Sequence, residues 1–302
     1  MAIGKPFTFS VEPTTSCNLG CPECPSGLKA FTRPTGFIDS ATFDLFLAKT
    51  YRELSFLYFY FQGEPYMHPA FFDLVKKATA KNVYSITSTN AHYLSERKAE
   101  ETIQSGLKRL IISLDGTTEE TYQQYRIGGK LSKVIEGTKN IIAAKKKLKS
   151  KTPYVVFQFL VVRHNEHQIA DAKALAMALG VDEIVFKSAQ IYDYKNDQHL
   201  IPLTTKYSRY KQLPSGEYVI KNDLKNRCWK MWHSAVMTWD GTIVPCCFDK
   251  DAQYKMGNIL EADFAAIWHG EKYNSFRKKL LQERENIDIC KNCSEGLNVF
   301  EK

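Results

Sequence analysis

The chain has 302 residues, 44% of them apolar and 25% charged, which is the make-up of an ordinary globular protein and excludes a disordered or collagen-like one. Its 41 basic and 33 acidic residues leave a net charge of +8. The one dense basic run, Lys145, Lys146, Lys147, Lys149 and Lys151, closes a helical stretch where cations suit the helix dipole, so nucleic acid is not an expected partner.

In chain order, the opening MAIGKPFTFSVEP has neither a long apolar stretch nor a small-residue cleavage site, which predicts a cytoplasmic chain. No apolar run approaches the roughly 20 residues needed to span a bilayer, and no membrane is expected. Runs rich in Val, Ile, Phe, Tyr and Thr predict strands at 7–13, 55–61, 84–89, 109–114, 154–162 and 183–187. Helical segments lie between them. Ser95 can cap the one that stops at Gly106, Thr117 with Glu120 matches a capping box, and 170–179 ends at Gly180. Six such βα units predict an α/β fold, a partial (β/α)6 TIM-like barrel with helices outside. Ligands gather at the carboxyl ends of such strands. That rule brings together Cys17, Cys21 and Cys24 after the first strand, Gly63 and Glu64 after the second, Ser88 and Asn90 at the third, and Ser113 and Asp115 at the fourth. From 189 to 227 the periodicity fails, which suggests a connector. The expected division is therefore a barrel over 1–188, a connector over 189–227 and a small cysteine-bearing domain over 228–302.

Eight cysteines in a reducing compartment more often bind metal or do redox chemistry than pair as disulfides. The first three are spaced CX3CX2C, and a structural zinc site wants four ligands. Three thiolates on a four-iron cubane would leave one iron open, as a reactive centre requires; zinc or structural thiols are the alternative. The spacing, following the first strand of a βα series, resembles the radical S-adenosylmethionine (SAM) superfamily. The resemblance implies that the open iron chelates the SAM amino and carboxylate groups. Gln62-Gly63-Glu64-Pro65 resembles the family's Gly-Gly-Glu motif for the amino group. Ser88 and Asn90 match the position that reaches the ribose. The segments around Ser113-Leu-Asp115-Gly116 and Arg126 resemble ones common in the subgroup with C-terminal cluster domains, which implies that Ser113 and Arg126 bind the SAM carboxylate and that Asp115 is a further cofactor contact. Gln62 replaces the first motif glycine, and Glu23 stands where many members carry an aromatic against the adenine.

Cys228, Cys246, Cys290 and Cys293 form the second group, with Cys247 as a spare thiol. The CX12GX4C element and later CX2C resemble the SPASM domain in its shortened twitch form, which implies one auxiliary cluster on those four cysteines. Four-cysteine zinc is the alternative. Asp240-Gly241 predicts a hairpin turn that returns Cys246 towards Cys228. The resemblance thus implies two [4Fe-4S] clusters with SAM as cofactors. It also implies reductive cleavage of SAM to a 5′-deoxyadenosyl radical, and an electron donor such as flavodoxin or ferredoxin. The layout is similar to that of the twitch-bearing aminocyclitol dehydrogenases, which implies oxidation of a small polyol, sugar or aminocyclitol. The alternatives are a maturase acting on a ribosomal peptide, although no obvious leader-binding domain precedes the barrel, and a zinc-stabilised binding protein. Lys187, at the end of the sixth strand, is the candidate proton acceptor. One of Arg163, His164 and Asn165 is expected to touch substrate or SAM.

Overall fold

The alternation of short β-branched runs with capped helices gives the barrel its strands. The computed structural model describes residues 4–294 and 300–301. Strands β1 (Thr8–Val11), β2 (Phe56–Tyr58), β3 (Tyr84–Thr89), β4 (Arg109–Ser113), β5 (Tyr154–Val161) and β6 (Glu183–Ser188) pair parallel in chain order. The helices between them begin and end as capping chemistry dictates. The Ser95 side chain accepts a hydrogen bond from the Lys98 backbone N–H, and Gly180 closes its helix at φ 74°. One cap lies a residue later than the sequence suggests: Thr118 caps Glu119–Tyr125. The Thr117 N–H is drawn instead to Gln168 Oε1 at 2.8 Å.

Strand periodicity divides the side chains between two faces. Phe9, Val11, Leu57, Leu110, Ile112, Phe157, Phe159 and Phe186 form the main core with helix residues such as Phe43, Leu74, Val134 and Ile141. The strand register puts Ser10, Tyr58, Ser88, Arg109, Ser113, Gln158 and Lys187 on the opposite, inward face. A closed eight-stranded barrel fills that interior with aliphatic layers. Here it is polar.

The connector is less irregular than the sequence suggests. It contains an antiparallel ribbon, β7 (Tyr210–Gln212) with β8 (Tyr218–Ile220), around a turn where Gly216 has φ 88°. Three-residue strands are too short to show a period. Beyond it, β9 (Ser234–Met237), β10 (Thr242–Val244) and β11 (Gly257–Asn258) extend the barrel sheet past β1. β9 runs parallel to β1. β10 folds back antiparallel at the expected turn, where Gly241 has φ 81°. β12 (Phe300–Glu301) pairs with β6 at the other edge.

A buried ion pair joins these parts. Arg33, in the segment after the third cysteine, meets Glu12 through two bonds of 2.9 and 2.6 Å. The Trp239 N–H of the C-terminal hairpin donates to the same carboxylate. With side chains only 5% and 0% exposed, loss of one partner strands a buried charge. Arg33→Ala is expected to destabilise the protein by about 3–5 kcal/mol, read as a lower urea midpoint, whereas Lys76→Ala, in the exposed Lys76–Asp73 pair, should leave the midpoint unchanged.

Candidate functional site

The loop after β1 carries Cys17, Cys21 and Cys24, and neighbouring backbone holds it in place. The Gly20 N–H donates to Ile127 O at 2.9 Å, and the Glu64 N–H to Ser16 O at 2.8 Å. Gly63 lets the β2 loop lie flat against it. At φ 74°, a Cβ on Gly63 would stand 2.2 Å from Thr14 O, while its N–H reaches Ser26 Oγ at 2.9 Å. Gly63 therefore shapes the thiol loop with its backbone. Gly63→Ala is expected to displace that loop and lower anaerobically reconstituted iron by about half, as loss of one of two four-iron clusters requires; unchanged iron would contradict this.

Glu64 is 2% exposed. Its carboxylate accepts from Thr89 Oγ1 at 2.8 Å and from the Tyr66 and Asn90 backbone N–H groups at 3.1 and 2.7 Å. No lysine or arginine among the described residues pairs with it, and burial pushes its carboxyl pKa up against these hydrogen bonds. A carboxylate fixed in this way and short of a counter-cation suits an ammonium group. Asn90 bridges to the thiol loop: its Nδ2 donates to Asn18 Oδ1 at 2.8 Å and lies 3.9 Å from Cys17 Sγ. The hydroxyls of Ser88 and Ser113 sit on the inward face, as the register requires.

Asp115, expected among the cofactor contacts, has another position. It is wholly buried, with Oδ1 accepting from the Leu160 N–H at 2.7 Å and Oδ2 from Arg126 Nε. It therefore positions Arg126, whose Nη1 lies 3.6 Å from Cys21 Sγ. Burial opposes the Arg126 charge, but Asp115 and the Cys21 thiol keep it firmly cationic. Asn165 likewise serves the scaffold, donating to the carbonyls of Asp115 and Leu160. Arg163 Nε donates to Ile201 O at 2.9 Å. His164 keeps a buried Nε2 with no partner.

Burial raises the thiol pKa of Cys17 to about 11 and that of Cys21 as well, the latter opposed by Arg126. In the second group Cys246 lies near Cys290 and Cys293, and Cys290 near Cys293 and Cys228. Among the described residues, no Cys, His, Asp or Glu trio closes around a single ion. The donor sets, all soft thiols with three in one group and four in the other, fit iron–sulfur clusters.

Cys246 and the exposed Cys247 also line a cavity of about 270 Å3 shared with Ser10, Tyr58, Tyr60 and Lys230. Tyr58, Tyr60 and Lys230 carry no motif, and only the inward strand alternation could have pointed to the tyrosines. Lys187 occupies the same inward face, its pKa lowered to about 8 by burial, with Lys230 and Arg109 adding to the shift and Cys247 opposing it.

Comparison with known proteins agrees with this arrangement. The radical SAM superfamily model matches residues 11–176, and an iron–sulfur cluster-binding domain model, SPASM, matches 228–294. The chain is 25% identical to the tungsten-containing aldehyde ferredoxin oxidoreductase cofactor-modifying protein of Pyrococcus furiosus, over 94% of this chain and 86% of that one. It is 24% identical to the S-adenosyl-L-methionine-dependent 2-deoxy-scyllo-inosamine dehydrogenase of Niallia circulans, over 95% and 92%. The solved structure of BtrN in complex with AdoMet and 2-DOIA superposes with a TM-score of 0.59 at 20% identity, covering 97% of this chain and 94% of that one.

Proposed function

The chain belongs to the radical SAM superfamily, and from that premise we propose that it oxidises a hydroxyl-bearing carbon of a small polyol, sugar or aminocyclitol. When bound, SAM and two [4Fe-4S] clusters supply homolytic C–H cleavage and a one-electron sink. Cys17, Cys21 and Cys24 hold the first cluster, and Cys228, Cys246, Cys290 and Cys293 the second. Gly63 and Glu64 orient the SAM ammonium, with Ser88, Asn90, Ser113 and Arg126 around the rest of the molecule and Asp115 behind Arg126. The same residues divide the work among a barrel (1–188), a connector (189–227) and a cluster region (228–302). The external electron donor is a small redox protein such as flavodoxin or ferredoxin.

The observation that carries this reading is the wall of the inner cavity. Cys246, from the second thiol group, lines it together with the barrel tyrosines Tyr58 and Tyr60. Oxidising CH–OH to a carbonyl removes one hydrogen atom, one proton and one electron. An electron acceptor in the cavity wall and Lys187, a desolvated lysine on the inward face of the barrel, account for the last two. Anaerobic incubation with SAM, a reductant and a panel of polyols and aminocyclitols should yield 5′-deoxyadenosine and a carbonyl product in equal amounts. 5′-Deoxyadenosine accompanied only by redox-neutral products would overturn the dehydrogenase reading.

A groove of about 620 Å3 beside Tyr192, Tyr194 and Phe248 favours one second reading, a peptide substrate. Peptide-dependent rather than polyol-dependent 5′-deoxyadenosine formation would select it.

A further inference from the structure

The second thiol group has a buried cation beside it that no motif marks. Arg284 follows the long helix Glu271–Glu283 and is 2% exposed. Its Nη1 donates to the carbonyls of Lys225 and Arg227 at 3.1 and 2.9 Å, which fixes the residues just before Cys228. Its Nε and Nη2 are buried and reach no oxygen or nitrogen acceptor. Among the described residues, no aromatic ring takes their place. Arg277, another buried arginine with orphaned nitrogens, lies 4.2 Å from the Trp268 ring and 4.6 Å from that of Tyr273. Arg209, with an orphaned Nε, donates to Asn292 O and lies 6.0 Å from the Phe248 ring. What surrounds Arg284 is sulfur. Its guanidinium lies beside the thiols of Cys293, Cys228 and Cys290, with Cys293 and Cys290 within hydrogen-bonding reach.

Two N–H groups of a desolvated cation that find no oxygen or nitrogen acceptor are costly unless something else accepts them. A cluster with thiolate and sulfide sulfurs is such an acceptor, and its net charge and hydrogen bonds to sulfur set its reduction potential. We propose that Arg284 raises the reduction potential of the cluster on Cys228, Cys246, Cys290 and Cys293, so that this site accepts the substrate electron. The inference rests on the proposed ligand set and concerns one electron entering that cluster, with no bond made or broken at Arg284. Arg284 acts through the cluster and is a positioning residue.

The test uses the full chain with Cys17, Cys21 and Cys24 replaced by alanine, so that only the second cluster contributes. About four irons per chain check the ligand set, separately from the inference. EPR-monitored redox titration then compares this protein with versions that also carry Arg284→Gln or Arg284→Lys. With iron retained, Arg284→Gln should lower the ratio of reduced to oxidised cluster at fixed ambient potential about tenfold, a midpoint about 59 mV more negative, and Arg284→Lys should restore most of it. Loss of iron in Arg284→Gln but not in Arg284→Lys, with an unshifted midpoint in the latter, also supports the role of the charge. An unshifted midpoint in iron-loaded Arg284→Gln, or a fall of the same size in Arg284→Lys, overturns the proposal. Loss of iron in both variants makes Arg284 a folding anchor and overturns it as well.

Discussion

Replacing Cys17, Cys21 and Cys24 together by alanine is expected to abolish SAM cleavage and lower bound iron from about eight atoms to about four. No other group in the described structure can substitute for them. The loop offers only these three soft donors, and the acids in or near it are committed elsewhere, Glu23 to the Tyr192 N–H, Glu64 to Thr89, Tyr66 and Asn90 and Asp115 to Arg126 and Leu160. The second group should behave differently. Cys246→Ala should remove the remaining iron signal while leaving 5′-deoxyadenosine formation detectable, because the first site is untouched. Cys247→Ala should keep all the iron, since Cys247 is exposed while Cys246, which also lines the cavity, lies among Cys290 and Cys293. Iron analysis and EPR of the four proteins check this. SAM cleavage surviving the triple replacement would remove the basis of the functional reading.

The parts of this architecture legible in the sequence are those with a short-range signature. Strand runs such as 84–89 appear at those bounds, and Ser95 and Gly180 end helices because capping depends on a few adjacent atoms. The thiol spacing is equally local. What sequence could not show is where a side chain is used up. Asp115 reads like a ligand because it follows a strand, but its partners Leu160 and Arg126 lie 45 and 11 residues away. Gly63 reads as part of a binding motif, yet its backbone approach to Thr14 is what excludes a side chain. Arg284 sits in the run Gln-Glu-Arg-Glu-Asn, which in sequence is a solvated helix end. Only the fold reveals that it is buried against three thiols. The β7–β8 ribbon and the attachment of β9 to β1 are also tertiary outcomes, decided by pairings with no local pattern.

Lys187 is the residue whose loss should separate radical formation from product. A lysine with a pKa near 8 can accept a proton at neutral pH, and a positioned base contributes about 10²–10⁴-fold in rate. Burial lowers its pKa, because the charged form loses hydration, and Lys230 and Arg109 push the same way. The base must be neutral to act, so product formation should rise about tenfold per pH unit below 8 and level off above it. Lys187→Met should lower product formation by about 10²–10⁴-fold while iron content and 5′-deoxyadenosine formation persist. Lys187→Arg is the sharper variant. It keeps a cation of similar reach, but a guanidinium does not deprotonate in this range, so it should be as inactive as Lys187→Met if the lysine accepts a proton. If it only holds substrate by charge, Lys187→Arg should recover much of the rate with a flat pH profile, and the rate of the native protein should fall above pH 8 instead of levelling off. Product yield across pH 6–10 for the three proteins decides between these roles.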